Sequence, residues 1–240
     1  MILAIDAGNS RVKWGIHDGQ KWLRQGWIAN RDVATLAEIW QTLAMPDRIV
    51  ASNVAGEAVR IALEDSLSHF NKPIQWVAAM PSQCGVRNGY TQPAQLGSDR
   101  WAALIGAWRL HQEGCVVVNA GTAMTVDALS DQGEFIGGLI VPGLAAMEES
   151  LERKAAGIER GEGRIHSFPT NTADAVRSGA VFALAGAVGH MAEALSSKLG
   201  RTPDCILSGG DAELLRPLLP VEARVQENLV LEGLIGIALT

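Results

Sequence analysis

Residues 2–5, Ile2-Leu3-Ala4-Ile5, are apolar without a break and stop at Asp6. The turn residues Ala7-Gly8-Asn9-Ser10 follow, and a second apolar run alternates from Val12 to Ile16. That pattern predicts a strand, a tight turn and an antiparallel strand. Residues 20–28 add a third strand carrying Trp22 and Trp27. Asp32 is placed to cap a helix whose apolar positions, Leu36, Ile39, Trp40 and Leu43, have helical spacing. A strand over 48–51, a helix over 57–70 with Val59, Leu63 and Leu67 inward, and a strand over 73–77 complete a β-β-β-α-β-α-β order, which implies a mixed sheet with helices. Residues 78–96, rich in Pro, Gly, Gln and Asn, read as a long loop and hold Tyr90, the only tyrosine. Gly97-Ser98-Asp99-Arg100 then opens a helix to about residue 111, with the stripe Trp101, Leu104, Ile105 and Trp108.

The opening pattern returns. Val116-Val117-Val118-Asn119-Ala120-Gly121-Thr122 repeats the apolar run, polar end and glycine turn, so that position 119 matches position 6 at an offset of 113 residues. At the same offset Asp18 meets Asp131. Strands are expected over 116–119, 124–129 and 135–141, and a helix from Pro142-Gly143 to about 154. A Gly- and charge-rich loop is expected over 155–169, then a long apolar helix over about 173–198. A buried strand over 205–207, the turn Ser208-Gly209-Gly210-Asp211 and an amphipathic helix over 229–239 end the chain. The repetition predicts a duplicated domain, with a boundary near Gly114 and domains at 1–114 and 115–240. All seven tryptophans lie between residues 14 and 108, which supports the break. Chance similarity of two hairpins is the competing explanation.

Composition sets the class. The chain has 240 residues, 48% hydrophobic and 19% charged, the balance of a globular protein. Cys84, Cys115 and Cys205 are odd in number and widely spaced, so buried reduced thiols are expected rather than a disulfide framework. The five histidines show no metal-ligand spacing. The start has no charged leader with a long apolar segment, and no run of about 18 apolar residues occurs, so neither a signal peptide nor a membrane span is expected and a cytoplasmic location is. A net charge of −6 without a basic cluster argues against a nucleic-acid surface.

The first turn carries chemistry. Gly8 is expected to take a positive φ and let the backbone approach a ligand. Backbone N–H groups with the Asn9 and Ser10 side chains suit a small anion. Lys13 adds a charge for phosphate, and Asp6 at a strand end can hold hydrated magnesium beside it. An ordinary hairpin turn would look the same in isolation. Two such turns, one per domain, would form a two-sided clamp for a nucleoside triphosphate.

These pieces, in this order, resemble a known family. The paired hairpins are similar to those of the acetate and sugar kinase, heat-shock ATPase and actin superfamily. The resemblance implies an α/β fold of duplicated ribonuclease-H-like, actin-like ATPase domains with mixed sheets and an interdomain nucleotide cleft. Within it the chain closely resembles type III pantothenate kinase. The resemblance rests on Asp6-Ala7-Gly8-Asn9-Ser10 with Lys13, Tyr90, Gly97-Ser98-Asp99-Arg100, Gly121-Thr122-Ala123, Gly137-Gly138 with Pro142-Gly143, Asn171-Thr172 with Ser178-Gly179, and Ser208-Gly209-Gly210. It implies ATP-dependent phosphorylation of pantothenate, the first step of coenzyme A synthesis, with magnesium and a monovalent cation, potassium or ammonium.

The resemblance also implies site roles. The stretch Asp6, Ala7, Gly8, Asn9, Ser10, Arg11, Val12 and Lys13 would bind ATP phosphates, with Thr122 in the second motif. Asp99 would accept the proton. Tyr90, Gly97, Ser98, Arg100 and Thr172 would contact pantothenate, Thr172 across a homodimer interface for which the long apolar helix is the candidate. Plainer roles stay open: Ser98 as a helix cap, Asp99 as a complement to the helix dipole, Thr172 as an N-cap, and Ser208-Gly209-Gly210 as a helix-entry turn. One departure is Asn119, where much of the family has an aspartate that helps hold the monovalent cation; a neutral amide weakens that expectation. Two other functions compete: a non-enzymatic ATP-binding transcriptional accessory protein, and a kinase of the same superfamily acting on another alcohol such as a sugar.

Overall fold

A computed structural model describes residues 1–155 and 161–240. In chain order the elements are β1 (Ile2–Ala7), β2 (Arg11–His17), β3 (Trp22–Ala29), α1 (Leu36–Gln41), β4 (Arg48–Asn53), α2 (Glu57–Leu67), β5 (Ile74–Trp76), β6 (Ser82–Gln83), β7 (Val86–Asn88), α3 (Ser98–His111), β8 (Cys115–Ala120), β9 (Ala123–Leu129), β10 (Glu134–Pro142), α4 (Leu144–Lys154), α5 (Thr172–Leu199), β11 (Asp204–Ser208), α6 (Ala212–Leu215), β12 (Ala223–Val225) and α7 (Leu229–Leu239). The chain divides into two units. Unit 1 holds Met1–Gln112, Gly133–Phe135 and Asn228–Thr240; unit 2 holds Glu113–Gln132 and Ile136–Glu227.

Unit 1 is a five-stranded sheet in the order β3-β2-β1-β4-β5. β1 runs antiparallel to β2 and parallel to β4. Every residue of β1 is buried, as a central strand covered on both faces must be. Leu3, Ile5 and Ala7 join Val12, Trp14 and Ile16 in a core with Leu36, Trp40, Leu63 and Leu67 from α1 and α2. On the other face α7 packs on β1 and β4, and α3 packs on α7. The two helices approach closely at glycines: a Cβ on Gly233 would lie 1.7 Å from the Ala102 carbonyl oxygen.

Unit 2 repeats the topology. Its strands run β10-β9-β8-β11-β12, with β8 antiparallel to β9 and parallel to β11. Its core is Val116, Val118, Met124 and Val126 against Val181, Leu184 and Val188 of α5. By length and composition α5 could cross a membrane, yet it contributes a whole row of side chains to this protein core.

Several expectations change. Residues 228–240, assigned to the second domain, belong to unit 1, so the division is not a single cut near Gly114. α7 is buried nearly all round rather than amphipathic, because it is wedged between a sheet and a helix. The expected loop over 78–96 contains the β6–β7 hairpin, whose turn residues Cys84 and Gly85 both have positive φ, 51° and 83°. A left-handed cysteine is not a recognisable turn signal. Cys84 is half-buried, whereas Cys115 and Cys205 are buried and their thiols are pushed up to about 12 by that burial. Asp32 caps nothing: it lies inside a turn of 3-10 helix over Asn30–Thr35. The loop expected over 155–169 falls partly on residues 156–160, outside the described residues.

The repeat register also shifts. Ile2 pairs with His17, and Cys115, its counterpart, pairs with Leu129. The second hairpin loop is therefore one residue shorter, and Ser130 rather than Asp131 is the counterpart of Asp18. The roles agree: Asp18 accepts from the Gln20 N–H and Ser130 from the Gln132 N–H, two residues on in each case. Asp131 instead accepts from the Gly114 N–H and Arg201.

Candidate active site

The site in unit 1 grows from the ends of adjacent strands. Asp6 on β1 stands directly opposite Lys13 on β2 and Ser52 on β4. Lys13 stands opposite Trp27 on β3. Cross-strand partners share a face, so Trp27, Lys13, Asp6 and Ser52 form one row. It lies on the face that α3 and α7 cover, because the alternate residues Leu3, Ile5 and Ala7 fill the opposite core.

Asp6 is buried, and its Oδ1 has no hydrogen-bond partner. Burial, then the nearby Asp99 charge, pushes its carboxyl up to about 7, while Lys13 pulls it down. A buried carboxylate oxygen that lacks a partner beside a second carboxylate is suited to a cation.

Asp99 lies in the first turn of α3. Ser98 does not cap this helix; Gly97 is the N-cap residue, and the Ser98 hydroxyl lies 2.9 Å from that of Ser52. Asp99 Oδ1 accepts the Arg100 N–H at 2.8 Å. Burial raises the Asp99 pKa, opposed by that N–H and by the Arg100 charge. A Cβ on Gly97 would lie 2.6 Å from Asp99 Oδ1, so this glycine leaves room for the carboxylate.

Arg100 is buried and donates from Nη1 to the Tyr90 hydroxyl at 2.9 Å. Its guanidinium lies 5.7 Å from the ring centres of both Tyr90 and Phe135, and those rings are 5.1 Å apart. Tyr90 is held from behind by Asn88, whose Oδ1 accepts the Tyr90 N–H and whose amide donates to the Pro93 carbonyl. Phe135 comes from the first residues of β10, which pair with β7.

The turn between β1 and β2 closes with Gly8 N–H donating to the Arg11 carbonyl at 3.0 Å. Gly8 is not in the left-handed region, contrary to expectation, and a Cβ there would meet only the Arg11 oxygen at 3.5 Å. Asn9, Ser10 and Arg11 are exposed; the Arg11 guanidinium sits 4.5 Å over the Trp27 ring. Asn30 Nδ2 donates to the Gly8 and Asn9 carbonyls at 2.8 and 2.9 Å.

Unit 2 holds the other candidates. Asn119 stands opposite Thr125 and Ser208, the counterpart of the Asp6 row without its charges. The Thr122 carbonyl accepts from the Gly143 N–H at 3.0 Å. Gly209, at φ 104°, is pressed against Ala120: a Cβ there would lie 2.1 Å from its carbonyl oxygen. Thr172 is the first residue of α5 and is exposed; its N-cap is Asn171, whose side chain accepts the Asp174 N–H. The structure thus gathers Asp6, Lys13, Ser98, Asp99, Arg100 and Tyr90 in unit 1, and places Asn119 near the end of β8 and Thr122 in the β8–β9 turn of unit 2. Ser52, Asn30 and Phe135 were not foreseen. A serine closing an apolar strand was the visible signal for Ser52; Asn30 and Phe135 carried none.

Known proteins bear on this arrangement. The family model for type III pantothenate kinase matches residues 2–194. A type III pantothenate kinase of Nitrosospira multiformis is 53% identical over 238 residues, covering 99% of this chain and 91% of that protein. A solved Campylobacter jejuni protein described as a Baf family transcriptional activator is similar at a TM-score of 0.62 with 22% identity, covering 98% of this chain and 96% of that one. A Sinorhizobium meliloti structure described as a 2-dehydro-3-deoxygalactonokinase is similar at a TM-score of 0.60 with 13% identity, covering 100% and 97%. The two structures establish the shared fold of duplicated ribonuclease-H-like domains. With the family model spanning most of its length and a relative identical at half its positions, this chain belongs to the type III pantothenate kinase family.

Proposed function

We propose that this chain transfers the terminal phosphoryl group of ATP to the hydroxyl of pantothenate, giving 4′-phosphopantothenate for coenzyme A synthesis. Family membership supports the reaction. The observation that carries the site is the pair of carboxylates Asp6, buried with one oxygen lacking a hydrogen-bond partner, and Asp99, half-buried, both raised in pKa by their removal from water.

Asp99 orients the pantothenate hydroxyl and takes its proton as the phosphoryl group moves. An ordinary aspartate is a weak base, and its burial makes it a stronger one. Arg100 and Tyr90 hold the substrate, the guanidinium serving a carboxylate or amide oxygen. Because Arg100 is already fixed by the Tyr90 hydroxyl, little ordering is left for binding. Lys13 with the backbone and side chains of Asn9 and Ser10 receives phosphates, and Thr122 does so in the second motif. Magnesium, when bound, neutralises phosphate charge, and Asp6 is the residue that would hold it. A monovalent cation at Asn119 is held weakly, since its row of Thr125 and Ser208 supplies only neutral oxygens. The chain acts as a cytoplasmic homodimer. The exposed α5 stripe of Ala175, Gly179, Phe182, Ala183 and Gly186 supports that association, with Thr172 reaching the partner's substrate.

The test is ADP release by the purified protein with ATP, magnesium and ammonium, with and without pantothenate. Pantothenate-dependent turnover is expected, and Asp99→Asn should lower kcat by about 10²–10⁴-fold while ATP still binds. Binding of ATP without pantothenate-dependent turnover would overturn the reading.

A further inference from the structure

We infer that Asn30 is a positioning residue for ATP: it turns the amides of the β1–β2 loop toward the phosphates. The inference rests on the reading of that loop as a phosphate site.

Asn30 lies 20 residues beyond the loop, directly after β3. Its single side-chain amide nitrogen donates both of its hydrogens, to the Gly8 carbonyl at 2.8 Å and the Asn9 carbonyl at 2.9 Å. Its backbone N–H donates to the Ser10 carbonyl at 3.2 Å. Three consecutive loop carbonyls are thereby drawn to one residue. A trans peptide is planar, with C=O and N–H antiparallel. Drawing the Gly8 and Asn9 carbonyls toward Asn30 therefore turns the N–H groups of Asn9 and Ser10 away from it. Convergent N–H groups make an anion-binding concavity.

Gly8 does not supply this shape, since its backbone is outside the left-handed region. Nor does the hairpin ladder: Ala7 and Val12 are the last paired residues of β1 and β2, and the three residues Gly8, Asn9 and Ser10 lie beyond both strands. Only a side chain with two donors on one atom can hold both carbonyls. Aspartate has the same shape and no donor, so the residue type can be tested with almost no change in volume.

The experiment compares Asn30→Asp, Asn30→Ala and Lys13→Ala with the parent enzyme in steady-state kinetics, beside thermal melting. Both Asn30 variants should raise KM for ATP by about ten-fold or more, with KM for pantothenate and kcat within about three-fold. A purely structural role would instead lower the melting temperature and leave KM for ATP unchanged, and that result would overturn the inference. So would a uniform loss in which both KM values and kcat worsen together. Lys13→Ala separates the two levels of the argument. If it weakens ATP binding while the Asn30 variants do not, only the role of Asn30 fails. If neither alters KM for ATP, the phosphate-loop reading itself fails.

Discussion

The two hairpin loops are built on one plan and held by different means. Both join the first two strands of the same five-strand topology. In each, the residue just after the third strand donates its backbone N–H to a loop carbonyl: Asn30 to Ser10, and Gly143 to Thr122. In unit 1 the loop is one residue longer, and the asparagine side chain reaches across to grip two more carbonyls. In unit 2 the shorter loop lies directly on the backbone of Gly143, where a Cβ would come within 1.9 Å of the Gly121 oxygen. The strand-end rows differ as well. Lys13, Asp6 and Ser52 in unit 1 correspond in the repeat to Thr125, Asn119 and Ser208 in unit 2. The two copies share a strand order, while the charged row is present in one of them.

The sharpest way to break the comparison is to neutralise the charged row. Asp6→Asn should lower turnover by at least about 100-fold. It should also stabilise the metal-free protein. The folded state keeps the Asp6 proton up to about pH 7, whereas the unfolded chain loses it in the usual carboxylate range. Stability therefore falls as pH rises through that window, and the full penalty, on the order of 4 kcal/mol, stands above pH 7. Asp6→Asn should melt higher than the parent at pH 8 and equal to it near pH 4. A variant that melts lower at both would show that Asp6 is held by a partner rather than strained by burial.

Glycine substitutions come next. Gly143→Ala drives a methyl into the Gly121 carbonyl and should cost about 3 kcal/mol by chemical denaturation. Gly8→Ala, with open space and an ordinary backbone, should change stability by no more than about 0.5 kcal/mol. Equal effects would mean the two loops are held alike. The smallest change is expected from Asn119→Asp, which gives the second row a charge. It should lower the potassium concentration needed for half-maximal turnover in cation-depleted buffer. An unchanged potassium response would place the cation elsewhere.

Much of the candidate site was legible because its residues lie at breaks in the pattern. Asp6 ends an apolar run, Lys13 interrupts an alternating one, and Asp99 opens a helix, so polarity in an apolar context marked each. The plainer alternatives at Ser98 and Thr172 were settled by neighbours one residue away, since Gly97 and Asn171 occupy the capping positions. Asn30 and Phe135 could not be found this way. An asparagine after a strand is ordinary turn chemistry, and a phenylalanine in a strand is ordinary core.

By itself the sequence determined the strands, the repeat, the two glycine turns and the set of charged residues that break the apolar pattern. Those features are local: period, turn residues and motif order survive without knowledge of what touches what. Tertiary structure alone decided three things. α7 returns to unit 1, because its nearly uniform apolar surface needs cover on every side. Asp6 is strained upward in pKa, because helices shut out water and bring Asp99 near. And the first loop takes its shape from Asn30, because hydrogen bonds between residues 21 and 22 positions apart depend on strand pairing that no local pattern records.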